Sequence, residues 1–256
     1  MSVKAIFFDI DGTLVPIGHR GMLPSTVKAL DAARHAGVKL FVNTGRPKYF
    51  INNLSDYPFD GYVCLNGGHA IYEGRTIHKR PLEQEDVRRI IQVASANNLA
   101  CAAFAEDHLR LSFHNDRERQ VSASINVSFD SVGPLEEMAD EEIFQFTIYC
   151  TVEEEKLFTG LKNVIFPRWL DIFTDVDRAD SSKALGMQQV AGILGIGMDE
   201  VMAFGDGGND LPMLQAAGIS VAMGNAVPEV QAAATYVTSD AADDGIARAL
   251  RHFGII

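Results

Sequence analysis

Cysteine is scarce in this chain, and what there is does not pair. Three occur in 256 residues, Cys64, Cys101 and Cys150, far apart and set among apolar neighbours. An odd number excludes a closed disulfide set, and the spacing fits no zinc or redox motif. Buried free thiols in a reducing cytoplasm are expected. Positive charge is also short: 22 Lys and Arg face 34 Asp and Glu, a formal net charge of −12. A nucleic-acid backbone or an anionic membrane surface would be repelled, so neither is expected as a partner. An anionic substrate would need a local cluster of cations. No apolar run reaches the roughly 18 residues that span a bilayer. The first residues lack the basic region, apolar core and cleavage site of a secretory leader, which again points to the cytoplasm. Internal repeats and low-complexity segments are missing too, and no Pro/Ser-rich linker marks a domain edge.

Apolar residues make up 47% of the chain, enough for one large core or two ordinary ones. The stretch that orders the rest is Lys4-Ala5-Ile6-Phe7-Phe8-Asp9-Ile10-Asp11-Gly12-Thr13-Leu14. Its unbroken apolar run reads as a strand buried on both faces, as in a parallel sheet. A helix over 25–36, a strand over 38–42, a helix over 47–54 and a strand over 62–65 follow. This alternation predicts a doubly wound, Rossmann-like α/β core. The segments 70–72 and 76–78 read as a hairpin. From there the pattern changes to a helix over 85–96, strands over 100–105, 109–113, 144–150 and 169–174, and a helix over 153–161. An inserted α+β module over 82–180 is expected, interrupting a core made of 1–81 and 181–256. Ser181 or Ser182 caps the next helix, and further core strands fall at 201–204, 219–222 and 236–237.

Chemistry gathers at strand ends, where open α/β sheets place their ligands. Asp9 and Asp11 close the first strand. The spacing is not that of a calcium loop, because its glycine position falls on Leu14 and its closing glutamate position on Arg20. Asn43-Thr44-Gly45-Arg46 ends the second strand, Asn66-Gly67-Gly68 the third, and Gly205-Asp206-Gly207-Gly208-Asn209-Asp210 the fourth, while Lys183 opens a helix. Taken singly, Thr44-Gly45 reads as a turn, Lys183 as a solvated lysine and 205–210 as an acidic loop. Together they fit cleavage of a phosphate ester, which needs a nucleophile, a proton donor and cations to absorb phosphoryl charge. Asp9 and Asp11 can supply the first two. Thr44 and Lys183 can hold phosphoryl oxygens, and Asp206 and Asp210 are hard ligands suited to Mg²⁺. In the insertion, His108, Arg110 and His114 alternate along a predicted strand and share one face, read as solvated. Trp169 reads as part of a core or hairpin.

These four motifs resemble those of the haloacid dehalogenase-like phosphatases. The insertion of about a hundred residues is similar in size and pattern to the C2B cap of their Cof-type subfamily. Ala222-Met223-Gly224-Asn225-Ala226 and Asp243-Asp244-Gly245-Ile246 resemble that subfamily as well. The resemblance implies Asp9 as nucleophile and metal ligand, and Asp11 as acid and base with its backbone carbonyl on the metal. It implies Asp206 as a direct Mg²⁺ ligand, with Asp210 and Asn209 supporting the metal or orienting Lys183. Substrate contacts are then expected at Thr44, Gly45, Arg46, Lys183 and Asn209. The implied substrate is a small phosphorylated metabolite, most often a sugar phosphate, with the cap choosing the leaving group. A monomer or weak homodimer is expected. A phosphomutase on the same fold, and a receiver-like module phosphorylated on aspartate, are the competing readings.

Overall fold

The computed structural model describes residues 2–125 and 127–256; the Trp169 side chain lies outside what it describes. The chain forms two compact units, one of Met1–Lys79 with Ser182–Ile256 and one of Arg80–Ser181.

The first unit begins β1 (Ala5–Phe8), α1 (Pro24–His35), β2 (Lys39–Asn43), β3 (Gly61–Cys64), β4 (His69–Tyr72) and β5 (Arg75–Lys79). The helix expected over 47–54 is replaced by one 3₁₀ turn, Lys48–Phe50, because the chain leaves Pro47 extended and does not coil again. The second unit contains α2 (Gln84–Ala96), β6 (Cys101–Phe104), β7 (Leu109–Leu111), α3 (Asp116–Ile125), β8 (Gln145–Ile148), α4 (Val152–Glu155), β9 (Val164–Ile165), β10 (Arg168–Leu170) and β11 (Phe173–Arg178). The single strand expected over 169–174 is thus a hairpin, with β10 and β11 antiparallel. The first unit resumes with α5 (Lys183–Leu194), β12 (Val201–Gly205), α6 (Leu211–Ala216), β13 (Ile219–Ala222), α7 (Pro228–Ala233), β14 (Tyr236–Val237) and α8 (Gly245–His252).

Among the described residues the first unit's sheet runs β14-β13-β12-β1-β2-β3-β4-β5. It is parallel from β14 to β3 and antiparallel where the β4–β5 hairpin extends it. The two-sided burial of β1 is visible in its neighbours. Ile6 and Phe8 pack with Leu30, Val42, Phe204 and Leu250, on the side of α1 and α8. Ala5 and Phe7 pack with Phe41, Met187, Leu214 and Val230, on the side of α5, α6 and α7. Alternate side chains of a strand point to opposite faces, so helices must cover both, and each buried Phe contributes about 1.5–3 kcal/mol. Phe7 stacks on Phe41 and Phe8 on Phe204, with centroids 4.8 and 5.0 Å apart. This packing fixes the strand ends that follow.

The second unit's sheet runs β10-β11-β8-β6-β7, with β9 beside β11. One face, carrying Cys101, Ala103, Phe146, Ile148 and Val176, packs against Val87, Ile90, Ile91 and Ala94 of α2. The other carries polar pairs: Thr147 Oγ1 donates to Asp175 at 2.6 Å and Gln145 Nε2 to Asp177 at 2.7 Å. No helix among the described residues is long and apolar enough to cross a membrane.

Candidate active site

Four strand ends and one helix start of the first unit meet. Asp9 follows β1 directly, and its backbone N–H donates to the Phe204 carbonyl at 3.0 Å, tying β1 to β12. Lys183 is the first residue of α5, whose N-cap Ser182 accepts from the Leu185 N–H. Far from being solvated, Lys183 is 1% exposed. Its Nζ donates to Asp9 Oδ1 and to Asp210 Oδ1, both at 2.5 Å. The other oxygen of Asp210 accepts from the backbone N–H groups of Asp206 and Gly207, at 2.9 and 3.0 Å. Asp210 therefore fixes both the lysine and the loop that carries Asp206.

Asp206 is held in turn by Thr13, whose hydroxyl donates to Oδ1 at 2.9 Å. Gly12 stands opposite at φ +85°, and a Cβ there would overlap the Asp206 carboxylate. Two constraints, a positive φ and no room, exclude any other residue. Gly12→Ala is expected to lower Tm by about 5 °C through backbone strain and displacement of Asp206. Binding of a divalent cation should weaken with it, and a metal titration giving wild-type affinity would refute this account of Gly12.

Carboxylate oxygens of Asp9, Asp206 and Asp210 lie within 4.8 Å of one another. Burial pushes the Asp9 carboxyl up to about 8; Lys183 opposes this and Asp210 adds to it. Burial and the charge of Asp210 likewise push Asp206 up to about 6. Burial alone would lower the Lys183 ammonium, but Asp210 and Asp9 outweigh it and hold the ammonium well above its ordinary value. Three carboxylates against one ammonium leave a deficit of two positive charges, which a divalent cation on hard oxygen ligands would fill. The residues present therefore fit a metal.

Thr44 is buried at the end of β2, with its N–H on the Val63 carbonyl and its carbonyl accepting from the Asn66 N–H. Its hydroxyl accepts from the Arg46 N–H at 3.1 Å. The Arg46 guanidinium meets Asp11, with Nε on Oδ2 at 2.7 Å and Nη2 on Oδ1 at 2.6 Å. Asn209 Nδ2 donates to Asn66 Oδ1 at 3.2 Å, so it steadies a neighbouring loop while Asp210 alone of the two meets Lys183. Gly45 lies beside the same Asn66 amide.

Several residues without an assigned role complete the frame. Asn43 Nδ2 donates to the Lys183 carbonyl at 2.9 Å, joining β2 to α5. Asn225 Nδ2 donates to the Gly12 carbonyl at 2.9 Å and its Oδ1 accepts from the Ala241 N–H. Asn66 has φ +49° and Gly67 φ +93°, and a Cβ on Gly67 would overlap the Ser182 carbonyl. The available signal was an asparagine beside glycine at a strand end. In the second unit, His108, Arg110 and His114 do not share a strand face. The strand β7 spans only Leu109–Leu111. Arg110 lies opposite Ala103, on the α2 side, and pairs with Glu137. His108 meets Asp107 and Glu141, and His114 meets Glu118.

This constellation of a buried carboxylate, a buried lysine and a cluster of acids on a doubly wound sheet has counterparts. The sequence profile of the haloacid dehalogenase-like hydrolases matches residues 6–250. The HAD subclass IIB sugar phosphatase BT4131 is 37% identical, with a TM-score of 0.88 over 99% of this chain and 100% of that one. The HAD phosphatase BT1666 from Bacteroides thetaiotaomicron is 33% identical, with a TM-score of 0.90 over 100% and 96% of the two chains. YkrA of Bacillus subtilis (strain 168) is 32% identical over 259 residues, covering all of both. The chain belongs to the haloacid dehalogenase-like hydrolases, in their Cof-type branch. It is a phosphoric monoester hydrolase acting on small phosphorylated molecules, which sets aside the receiver-like reading.

Proposed function

We propose that the enzyme hydrolyses sugar phosphates through an aspartyl-phosphate on Asp9, with Mg²⁺ held by Asp9, the backbone carbonyl of Asp11 and Asp206. The observation that carries this is the Lys183 ammonium shared between Asp9 and Asp210 beside the Asp206 carboxylate. In the first half-reaction an Asp9 oxygen attacks phosphorus, the bond from phosphorus to the ester oxygen breaks, and Asp11 gives that oxygen its proton. In the second, Asp11 takes a proton from water, the water oxygen attacks phosphorus, and the Asp9–phosphate bond breaks to release inorganic phosphate. Thr44, Gly45, Asn209 and Lys183 hold the phosphoryl oxygens through both. Mg²⁺, when bound, neutralises phosphoryl charge that Asp9 would otherwise repel. Asp210, both of whose oxygens are engaged, serves by fixing Lys183 and the Asp206 loop.

The second unit, in this reading, recognises the leaving group. Two features support it. The phosphoryl-handling residues lie outside it, and the face of its sheet turned away from α2 carries Gln145, Thr147, Asp175 and Asp177, polar groups of a kind that suit hydroxyl groups. A sugar preference also agrees with the named activity of BT4131. Phosphate release from a panel of sugar phosphates, nucleotides and phosphopeptides, with and without Mg²⁺, tests the substrate class. Asp175→Ala should reorder the sugar phosphates by about 10-fold in kcat/KM while sparing an aryl phosphate. An unchanged ranking would remove that face from specificity.

A further inference from the structure

Asp9 and Asp11 are one residue apart and held very differently. Asp9 is buried and fixed by Lys183. The Asp11 side chain is 47% exposed, so packing does not set its orientation. What meets both its oxygens is Arg46, through the parallel pair of bonds from Nε and Nη2. Arg46 is itself anchored along its length. Its N–H donates to Thr44 Oγ1 at 3.1 Å, its carbonyl accepts from the Leu65 N–H at 3.2 Å, and Nη1 reaches the Phe50 carbonyl at 3.4 Å.

We infer that Arg46 is a positioning residue for Asp11, holding the acid's carboxyl group in the orientation from which it serves the leaving-group oxygen. The inference rests on Asp11 being the acid and base of the proposed mechanism. A half-exposed ion pair adds little to folding, whereas a planar fork on a carboxylate fixes its direction as well as its distance. The sequence places Arg46 among the substrate contacts; the geometry directs its fork to the acid. A proton donor misplaced by about an ångström loses much of its rate advantage, so the tether matters for catalysis out of proportion to its stability.

The two roles differ in how they depend on the leaving group. An alkyl ester needs a proton on its departing oxygen, whereas p-nitrophenolate leaves without one. The ratio kcat/KM reports the first transfer, in which that bond breaks. With folding checked by circular dichroism, Arg46→Ala should lower kcat/KM about 30-fold on glucose 6-phosphate and only about 3-fold on p-nitrophenyl phosphate. Arg46→Lys, which keeps the charge and loses the fork, should show the same contrast. Asp11→Asn should show it more strongly, and adding Arg46→Ala to Asp11→Asn should cost less than about 3-fold more. Equal losses on both esters, additive with Asp11→Asn, would overturn the inference and make Arg46 a phosphate contact. If Asp11→Asn itself shows no leaving-group contrast, the assignment of Asp11 fails, and the inference with it.

Discussion

Asp9→Asn is expected to abolish turnover, by a factor of about 10⁴ or more, while leaving the fold intact. The amide matches the carboxylate in shape and can still accept from Lys183, but it cannot attack phosphorus. Folding should not suffer, because burial already disfavours charge at this position, holding the carboxyl at about 8 in the absence of a cation. Lys183 keeps its bond to Asp210, so the substitution leaves no buried charge unpaired. The measurement pairs phosphate release with thermal melting on protein free of wild-type enzyme. Activity near wild type would take the nucleophile's role from Asp9. A collapse of Tm would show that the carboxylate is part of the frame.

The chemistry of this site was legible because a parallel sheet exports it to strand ends. Asp9, Thr44 and Asp206 each follow an apolar run buried on both faces, and such runs are read directly from the sequence. Lys183 was harder. Alone it looked like a surface lysine, and its place in a series of four motifs pointed to a role with phosphate but not to its burial. Asn43, Asn66 and Asn225 received no role because their work is to bond groups distant in sequence, backbone for Asn43 and Asn225 and the Asn209 amide for Asn66. An asparagine beside glycine signals a turn, and nothing in that signal names the partner across the fold.

Less of the insertion could be read. The helix α3 opens Asp116-Arg117-Glu118-Arg119-Gln120 and has little apolar face to announce it. Its Glu118 is nevertheless buried, held by His114 and Ser122. The β10–β11 hairpin turns at Asp171-Ile172, where an apolar residue hides the break. Arg110 was singled out by alternation, yet alternation fixes only which residues share a face. Which face α2 covers is decided by Cys101, Ala103, Phe146, Ile148 and Val176, and these belong to three separate strands. That choice is tertiary.

Metal removal is expected to stop catalysis, and Mg²⁺ to restore it, with a pH signature set by the same carboxylates. Asp9 at about 8 and Asp206 at about 6 stand above the ordinary aspartate value. In metal-free protein the folded state therefore binds more protons than the unfolded chain between about pH 4 and pH 8. Their contribution to stability is present below that window and is lost as pH rises through it. A cation competes with those protons, so Mg²⁺ should bind about 100-fold more weakly at pH 6 than at pH 8. Its stabilising effect follows its affinity, so the rise in Tm on adding Mg²⁺ should be larger at pH 8 than at pH 6. Asp206→Asn should abolish that rise at both, because it removes a ligand from the group of three that lies within 4.8 Å. Thermal melts with chelator and with Mg²⁺ at the two pH values, beside phosphate-release assays, decide the matter. Full activity after chelation would end the metal's role. An equal Tm rise at both pH values would mean that the cation binds away from Asp9 and Asp206, and a best rate with tightly bound zinc would reassign the ion.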